Sequence, residues 1–294
     1  MPDMRPPRPD AAPTDARPAD PSSSAASPTD ARPSNVARQG TTPADTPSSD
    51  TPQPILTASG VTAGYVPDLP ILRDVSIAVA PASVTVIIGP NGAGKSTLIK
   101  AIAGLVPVSA GQVRHDGRDI TNIAPHALAD EAMAYVPQTD NIFRSLTIEE
   151  NLALALRRAG KARKARLERL YETFPPLAAK RGEKAGALSG GQRQFLAVAN
   201  ALAVEPRLIL MDEPSAGLSP MAAQEVLGMA RDLTRQGVTI LLVEQNVTQA
   251  LKLADHCYIL AEGRNQVDGK AAELLGDRVV ADIYLGGKRA RVTS

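Results

Sequence analysis

The apolar run Val84-Thr-Val-Ile-Ile88 ends abruptly in Gly89-Pro-Asn-Gly-Ala-Gly-Lys-Ser96, followed by Thr97. A short run of mostly β-branched, apolar residues predicts a strand covered on both faces. The segment after it fits G-x-x-x-x-G-K-[ST], and a helix is predicted over 96–103. Strand, glycine-rich turn and helix in that order imply a parallel α/β sheet. Gly89, Gly92 and Gly94, interleaved with Pro90, Asn91 and Ala93, permit a backbone that turns successive N–H groups inward. The helix start adds its positive dipole end. Lys95 supplies a compact charge for β- and γ-phosphates, and the Ser96 hydroxyl, beside Thr97, a ligand for Mg²⁺. The pattern predicts a nucleoside triphosphate site.

Such a site needs a carboxylate at the end of a neighbouring strand. Leu208-Ile-Leu-Met-Asp-Glu213 provides one in Asp212, as a Mg²⁺ ligand, and a second in Glu213, placed to polarise an attacking water. A further buried strand is predicted at 239–243, ending on Glu244, Gln245 and Asn246. In open α/β sheets that edge faces ligands. Alternating strands are expected at 55–61 and 75–79. The 146–184 segment is helical in pattern, with a capping box at Thr147 and Glu150. Leu167, Leu170, Tyr171 and Phe174 follow at i, i+3, i+4, i+7.

The 32 basic and 31 acidic residues leave a net charge of +1, so bulk charge argues for neither nucleic acid nor an anionic membrane. The single cysteine, Cys257, excludes an intramolecular disulfide and reads as a buried thiol in a reducing compartment. No apolar stretch approaches the ~18 residues of a membrane-spanning helix, and the first residues lack the apolar region of a secretory signal. Residues 1–54 hold about half of the prolines and almost no aliphatic side chains, which predicts a disordered tail. Pro-Thr-Asp-Ala-Arg-Pro occurs in it twice, at 13–18 and 28–33. The basic stretch at 157–166 is expected to be a solvated helix face.

Leu188-Ser-Gly-Gly-Gln192, shortly before the Asp212–Glu213 pair, resembles the signature motif of ABC-type ATPases. The resemblance covers roughly 55–287 and implies a P-loop NTPase core with an N-terminal antiparallel β subdomain. It adds a helical insertion subdomain at about 139–187, with a short tail at 288–294. Ser189, Gly190, Gly191 and Gln192 would then contact the γ-phosphate of ATP held by an opposite subunit. A Ser hydroxyl and glycine amides at a helix start do form an anion-binding surface. Gln138, in Tyr135-Val-Pro-Gln138, resembles the glutamine that senses nucleotide and metal, and Tyr65 stands where an aromatic stacks on adenine.

Within the family, the Gly217-Leu-Ser-Pro220 loop, the Glu244-Gln-Asn246 strand end and Ile283-Tyr-Leu-Gly286 resemble one branch. This is the shorter ATPase subunit of branched-chain amino acid importers. Gln245 stands where most members carry a histidine, and Asn200 where arginine is usual. His115, His126 and His256 lie away from the nucleotide-facing strand ends, so none replaces the missing histidine. The resemblance implies a second ATPase subunit, identical or not, transmembrane permease subunits and an extracytoplasmic solute-binding protein. It implies no nucleic acid, and a peripheral location on the cytoplasmic face of the inner membrane. A urea or short-amide importer, or a non-transport ABC ATPase, remains open from sequence.

Overall fold

A computed structural model describes residues 53–139 and 141–275. The proline-rich stretch up to 52, and Ile283-Tyr-Leu-Gly286 with the tail after it, lie outside the described residues.

The described residues begin with the strands β1 (Leu56–Ala63) and β2 (Leu72–Val79), then β3 (Val84–Ile88) and helix α1 (Lys95–Ile102). Next come β4 (Val108–His115), β5 (Arg118–Asp119) and β6 (Met133–Val136). The helices α2 (Ile148–Ala155), α3 (Arg163–Thr173), α4 (Pro175–Ala179) and α5 (Gly190–Leu202) follow. Then β7 (Leu208–Asp212), α6 (Pro220–Arg235), β8 (Thr239–Val243) and α7 (Val247–Leu253) alternate. The last described elements are β9 (His256–Ala261), β10 (Arg264–Lys270) and α8 (Ala271–Leu274).

One sheet has strand order β2-β1-β4-β5 and is antiparallel throughout. The other runs β10-β9-β3-β8-β7-β6, parallel from β9 to β6 with β10 antiparallel at its edge. Helix α1 lies in the core shared by the two sheets, while α2 to α7 pack on the far face of the parallel one. The expected strands at 84–88 and 239–243 match β3 and β8. The 146–184 segment resolves into three α-helices: the 3₁₀ turns Leu156–Arg158 and Gly160–Ala162 separate α2 from α3, and Phe174 followed by Pro175 divides α3 from α4. Thr147 caps α2 as expected, its hydroxyl accepting from Glu150 N–H and the Glu150 carboxylate from Thr147 N–H.

Side chains of the central strands divide strictly by period two. Val84, Val86 and Ile88 of β3 enter the core beneath α5 and α6, and Ile87 enters the core around α1. On β8, Ile240 and Leu242 face the first core and Leu241 and Val243 the second. On β7, Ile209 and Met211 face the first, and Leu208 and Leu210 the second. Every residue of these three strands is buried. Carried one step further, the alternation aims Asp212 at α1 and Glu244 at the α6 side.

The entry to β3 is held by Asp255, which accepts from Val84 N–H at 2.9 Å and from both Arg231 terminal nitrogens at 2.8 and 2.9 Å. Burial alone would raise its pKa, but the Arg231 and Val84 hydrogen bonds and the Arg231 charge outweigh it and bring the group below the ordinary aspartate value. A depressed folded pKa stabilises fully above the unfolded value of about 3.9 and is lost as pH falls through the folded one. Asp255→Asn is expected to lower unfolding free energy at pH 7 by about 1 kcal/mol, solvent screening the exposed side of the pair. The deficit should shrink toward pH 3, as urea unfolding curves at the two pH values will show.

Candidate nucleotide site

Four adjacent strands deliver their C-terminal ends to one cavity of about 370 Å³. From β3 come Asn91, Gly92, Gly94, Lys95, Ser96 and Thr97, from β7 Glu213, from β8 Gln245, and from the turn after β6 Gln138. The sequence-predicted groups separated by up to 154 positions (from Asn91 to Gln245) thus converge because β6, β7, β8 and β3 are neighbours in that order.

The loop between β3 and α1 is shaped by close approach. A Cβ on Gly89 would stand 2.1 Å from the Leu260 carbonyl oxygen, so only glycine fits. Gly94, at φ 99°, begins α1 without a side-chain cap, which leaves first-turn N–H groups available to an anion. Pro90 and Ala93 serve the loop itself: Ala93 N–H donates to the Pro90 carbonyl at 3.1 Å, and Gly263 N–H donates to the Ala93 carbonyl at 3.1 Å. Lys95 is 5% exposed, and its Nζ donates to the carbonyls of Gly89 and Pro90 at 2.9 and 3.2 Å. Burial pushes its pKa down, opposed by the charges of Glu213 and Asp212. A buried ammonium of this kind is complemented by a polyphosphate.

Asp212 meets α1 as the alternation requires, accepting from Ser96 Oγ at 2.8 Å. The Tyr135 hydroxyl donates to its other oxygen at 3.5 Å, and burial, followed by the Asp212 charge, keeps that phenol protonated far above its ordinary range. Ser96 hydroxyl, Asp212 carboxylate and Gln138 amide offer only hard oxygen atoms, a donor set that fits Mg²⁺ shared with phosphates.

Glu213 adopts a left-handed backbone at φ 48°, uncommon for a residue with a side chain. Its N–H donates to Val243 O at 2.9 Å. Gln138 Nε2 and Gln245 Nε2 both donate to its Oε2, at 2.8 and 3.0 Å. One carboxylate oxygen is thereby fixed by two amides, and the other can accept a proton from water.

The three polar residues that end β8 do three different things. Gln245 is exposed and turns to Glu213; Asn246 caps α7, accepting from Gln249 N–H at 3.1 Å. Glu244 is 2% exposed and turns away from the cavity, accepting from Ser215 N–H and Oγ–H. Reading polarity at the strand end gave roles to Gln245 alone. The signal for Glu244 was the alternation itself, continued one residue past Val243.

Tyr65 and Ser189–Gln192 are not in the lining of the Lys95 cavity. Tyr65 is more than half exposed, in a turn where Val66 bridges Leu69. Ser189 caps α5, accepting from Gln192 N–H while the Gln192 side chain accepts from Ser189 N–H. Gly190 borders a second cavity of about 490 Å³ with Gln138, Arg193 and Leu218. A Cβ on Gly190 would come within 2.7 Å of Leu218 Cδ2, and one on Gly191 within 3.2 Å of Ala222 Cβ. None of the three histidines approaches Glu213: His115 is buried at the end of β4, His126 lies in a 3₁₀ turn, and His256 starts β9 at the opposite sheet edge. Cys257 is buried in β9, its thiol pushed up to about 12 chiefly by burial.

Residues 72–216 match the family model described as "ABC transporter". "Probable branched-chain amino acid transport ATP-binding protein LivF" of Archaeoglobus fulgidus is 46% identical over 231 residues, 77% of this chain and 96% of the relative. "High-affinity branched-chain amino acid transport ATP-binding protein BraG" of Pseudomonas aeruginosa is 39% identical over 224 residues, 76% of this chain and 96% of the relative. A crystal structure of an ATP-binding cassette of an ABC transporter in its ADP conformation superposes with a TM-score of 0.72. It is 31% identical and covers 80% of this chain and 99% of its own. With the P-loop fold, the Lys95 cavity and these relatives in agreement, the chain belongs to the ATP-hydrolysing ABC transporter family.

Proposed function

We propose that this chain hydrolyses ATP with Mg²⁺ at the Lys95 cavity and thereby powers uptake of branched-chain amino acids through separate permease subunits. The observation that carries the hydrolytic reading is the convergence of the Gln138 and Gln245 amides on Glu213, beside buried Lys95 and the Ser96–Asp212 pair. The cargo reading is supported by the two branched-chain amino acid relatives, since an ATPase subunit need not touch the solute. Asn91 and the loop amides would receive the β- and γ-phosphates, and Lys95 would neutralise them. Glu213 would accept the proton of a water attacking the γ-phosphorus as the bond to the β-phosphate oxygen breaks. Ser96, Asp212 and Gln138 would hold Mg²⁺, which when bound neutralises charge on the β- and γ-phosphate oxygens.

Tyr65 would stack on adenine. Ser189, Gly190, Gly191 and Gln192 would meet the nucleotide of a second ATPase subunit. Their position outside the Lys95 lining supports that arrangement. The permease would dock on the helical insertion around 141–156, beside a cavity of about 350 Å³ lined by Asn141, Leu105, Leu128, Val136 and Asn200. There the Asn200 Oδ1 is buried with no partner among the described residues. No helix among the described residues is long and apolar enough to cross a membrane. The chain would work from the cytoplasmic face of the inner membrane, with a solute-binding protein on the other side.

Glu213→Gln should cut turnover by roughly 100-fold or more while leaving nucleotide binding, and should trap an ATP-bound dimer on gel filtration. A parental rate would remove Glu213 as the base. Gln245→Ala is expected to lose about 10-fold in kcat through a loosened Glu213. Gln245→His should introduce a step near pH 6.5, the ordinary imidazole pKa, into a rate profile that is flat there in the parent. Deleting the chain should abolish uptake of labelled leucine, isoleucine and valine and spare urea; loss of urea uptake alone would reverse the cargo assignment.

A further inference from the structure

Glu244 is a buried carboxylate with no part in the chemistry above. Its Oε1 accepts from Ser215 N–H at 3.1 Å, and its Oε2 from Ser215 Oγ–H at 2.8 Å and Gln245 N–H at 3.3 Å. Among the described residues no Lys, Arg or His pairs with it. Burial pushes its pKa up, the Ser215 and Gln245 bonds oppose this, and the Glu213 charge adds to it. An unpaired buried carboxylate is an expensive way to fill space, so its hydrogen bonds rather than its packing are what it contributes.

Those bonds fall on a segment that little else restrains. Ser215 lies two residues after Glu213 and opens the turn to Ser219, the cap of α6. The turn closes on itself through Ala216 N–H to Glu213 O and Leu218 N–H to Ser215 O, at 3.1 and 3.2 Å. Ala216 and Gly217 are exposed, and a cavity of about 230 Å³ opens beside Glu244, Ser215 and Leu218. Packing on the side of that cavity is incomplete, which leaves the Glu244 hydrogen bonds to hold Ser215 there. Leu218 in turn presses against Gly190 at the start of α5.

We propose that Glu244 is a positioning residue for hydrolysis: by clasping Ser215 it fixes the turn that follows Glu213, and with it the aim of the Glu213 carboxylate and the seat of Leu218 on Gly190. The clasp replaces, at the far side of the strand end, what packing does elsewhere in the core. It rests on Glu213 being the base.

The test uses the full-length chain with Mg²⁺ and ATP. It compares kcat from phosphate release with affinity for a non-hydrolysable ATP analogue, for Glu244→Gln, Ser215→Ala and the double variant. The amide of Glu244→Gln keeps the shape but sets N–H against N–H at Gln245, so kcat should fall roughly 10-fold. Ser215→Ala should fall roughly 3-fold, and the double variant no further than Glu244→Gln, because the two side chains act as one unit. Analogue affinity should stay within about twofold, since the phosphate-binding loop is untouched. Ser215→Thr, which keeps the hydroxyl, should hold kcat within about twofold and serves with Ser215→Ala if Glu244→Gln does not fold. Parental rates in Ser215→Ala, losses that multiply, or affinity falling in step with kcat would overturn the clasp. Glu213→Gln run in parallel separates the failures: if it turns over at the parental rate, the base assignment falls, and if it is inactive while the other variants are parental, only the clasp does.

Discussion

Burial of β3, β7 and β8 on both faces sends their carboxylate and amide side chains to the C-terminal edge where the strands stop. Charged groups within those strands would be stranded between two apolar cores, where one small hydroxyl without a partner among the described residues, that of Thr85, is tolerated. At the edge they can face phosphate, metal or each other. Strand order then decides who meets whom: β8 sits between β3 and β7, so its last residues lie between the phosphate-binding loop and the two carboxylates. The period-two pattern sorts them further, sending Asp212 toward Ser96 and Glu244 toward Ser215.

Charge in the site is arranged in opposition. Lys95 is buried and leans on loop carbonyls, with Asp212 and Glu213 as the anions nearest in effect. Two neutral amides, rather than cations, restrain Glu213. That choice orients the carboxylate through hydrogen bonds from groups that carry no charge of their own. An amide at Gln245 fits this arrangement, since it positions without titrating.

Much of this was legible in the chain. β3, β8 and the loop between β3 and α1 announce themselves by composition, because double burial demands unbroken apolar runs and the loop demands glycine where Leu260 O comes within 2.1 Å of a Cβ. The strands β9 and β10 were not anticipated: β10 alternates between exposed and half-buried residues such as Asn265 and Asp268, giving little apolar signal. The helical stretch after Thr147 was seen as one pattern but is broken at Phe174 and Pro175, where tertiary packing supports short pieces. Within the site, residue types predicted Lys95, Asp212 and Glu213. They could not reveal that Gln138 and Gln245 share one oxygen of Glu213, since that depends on the spacing of three strand ends. Glu244 was hidden for the opposite reason: polarity at a strand end reads as facing ligand, and its direction comes only from counting faces.

Glu244 and Gln245 are joined by one peptide bond yet serve opposite sides of β8, one buried against the turn after Glu213 and one open to the cavity. Two groups so joined share a peptide plane, and a shift that tilts it moves both. The part of a nucleotide's pull on Gln245 that moves this peptide is a bias on the turn that seats Leu218 against α5. By thermodynamic linkage the relation runs backward as well. A protein surface whose capture of the turn is coupled to nucleotide would change nucleotide affinity by the factor by which nucleotide changes its own.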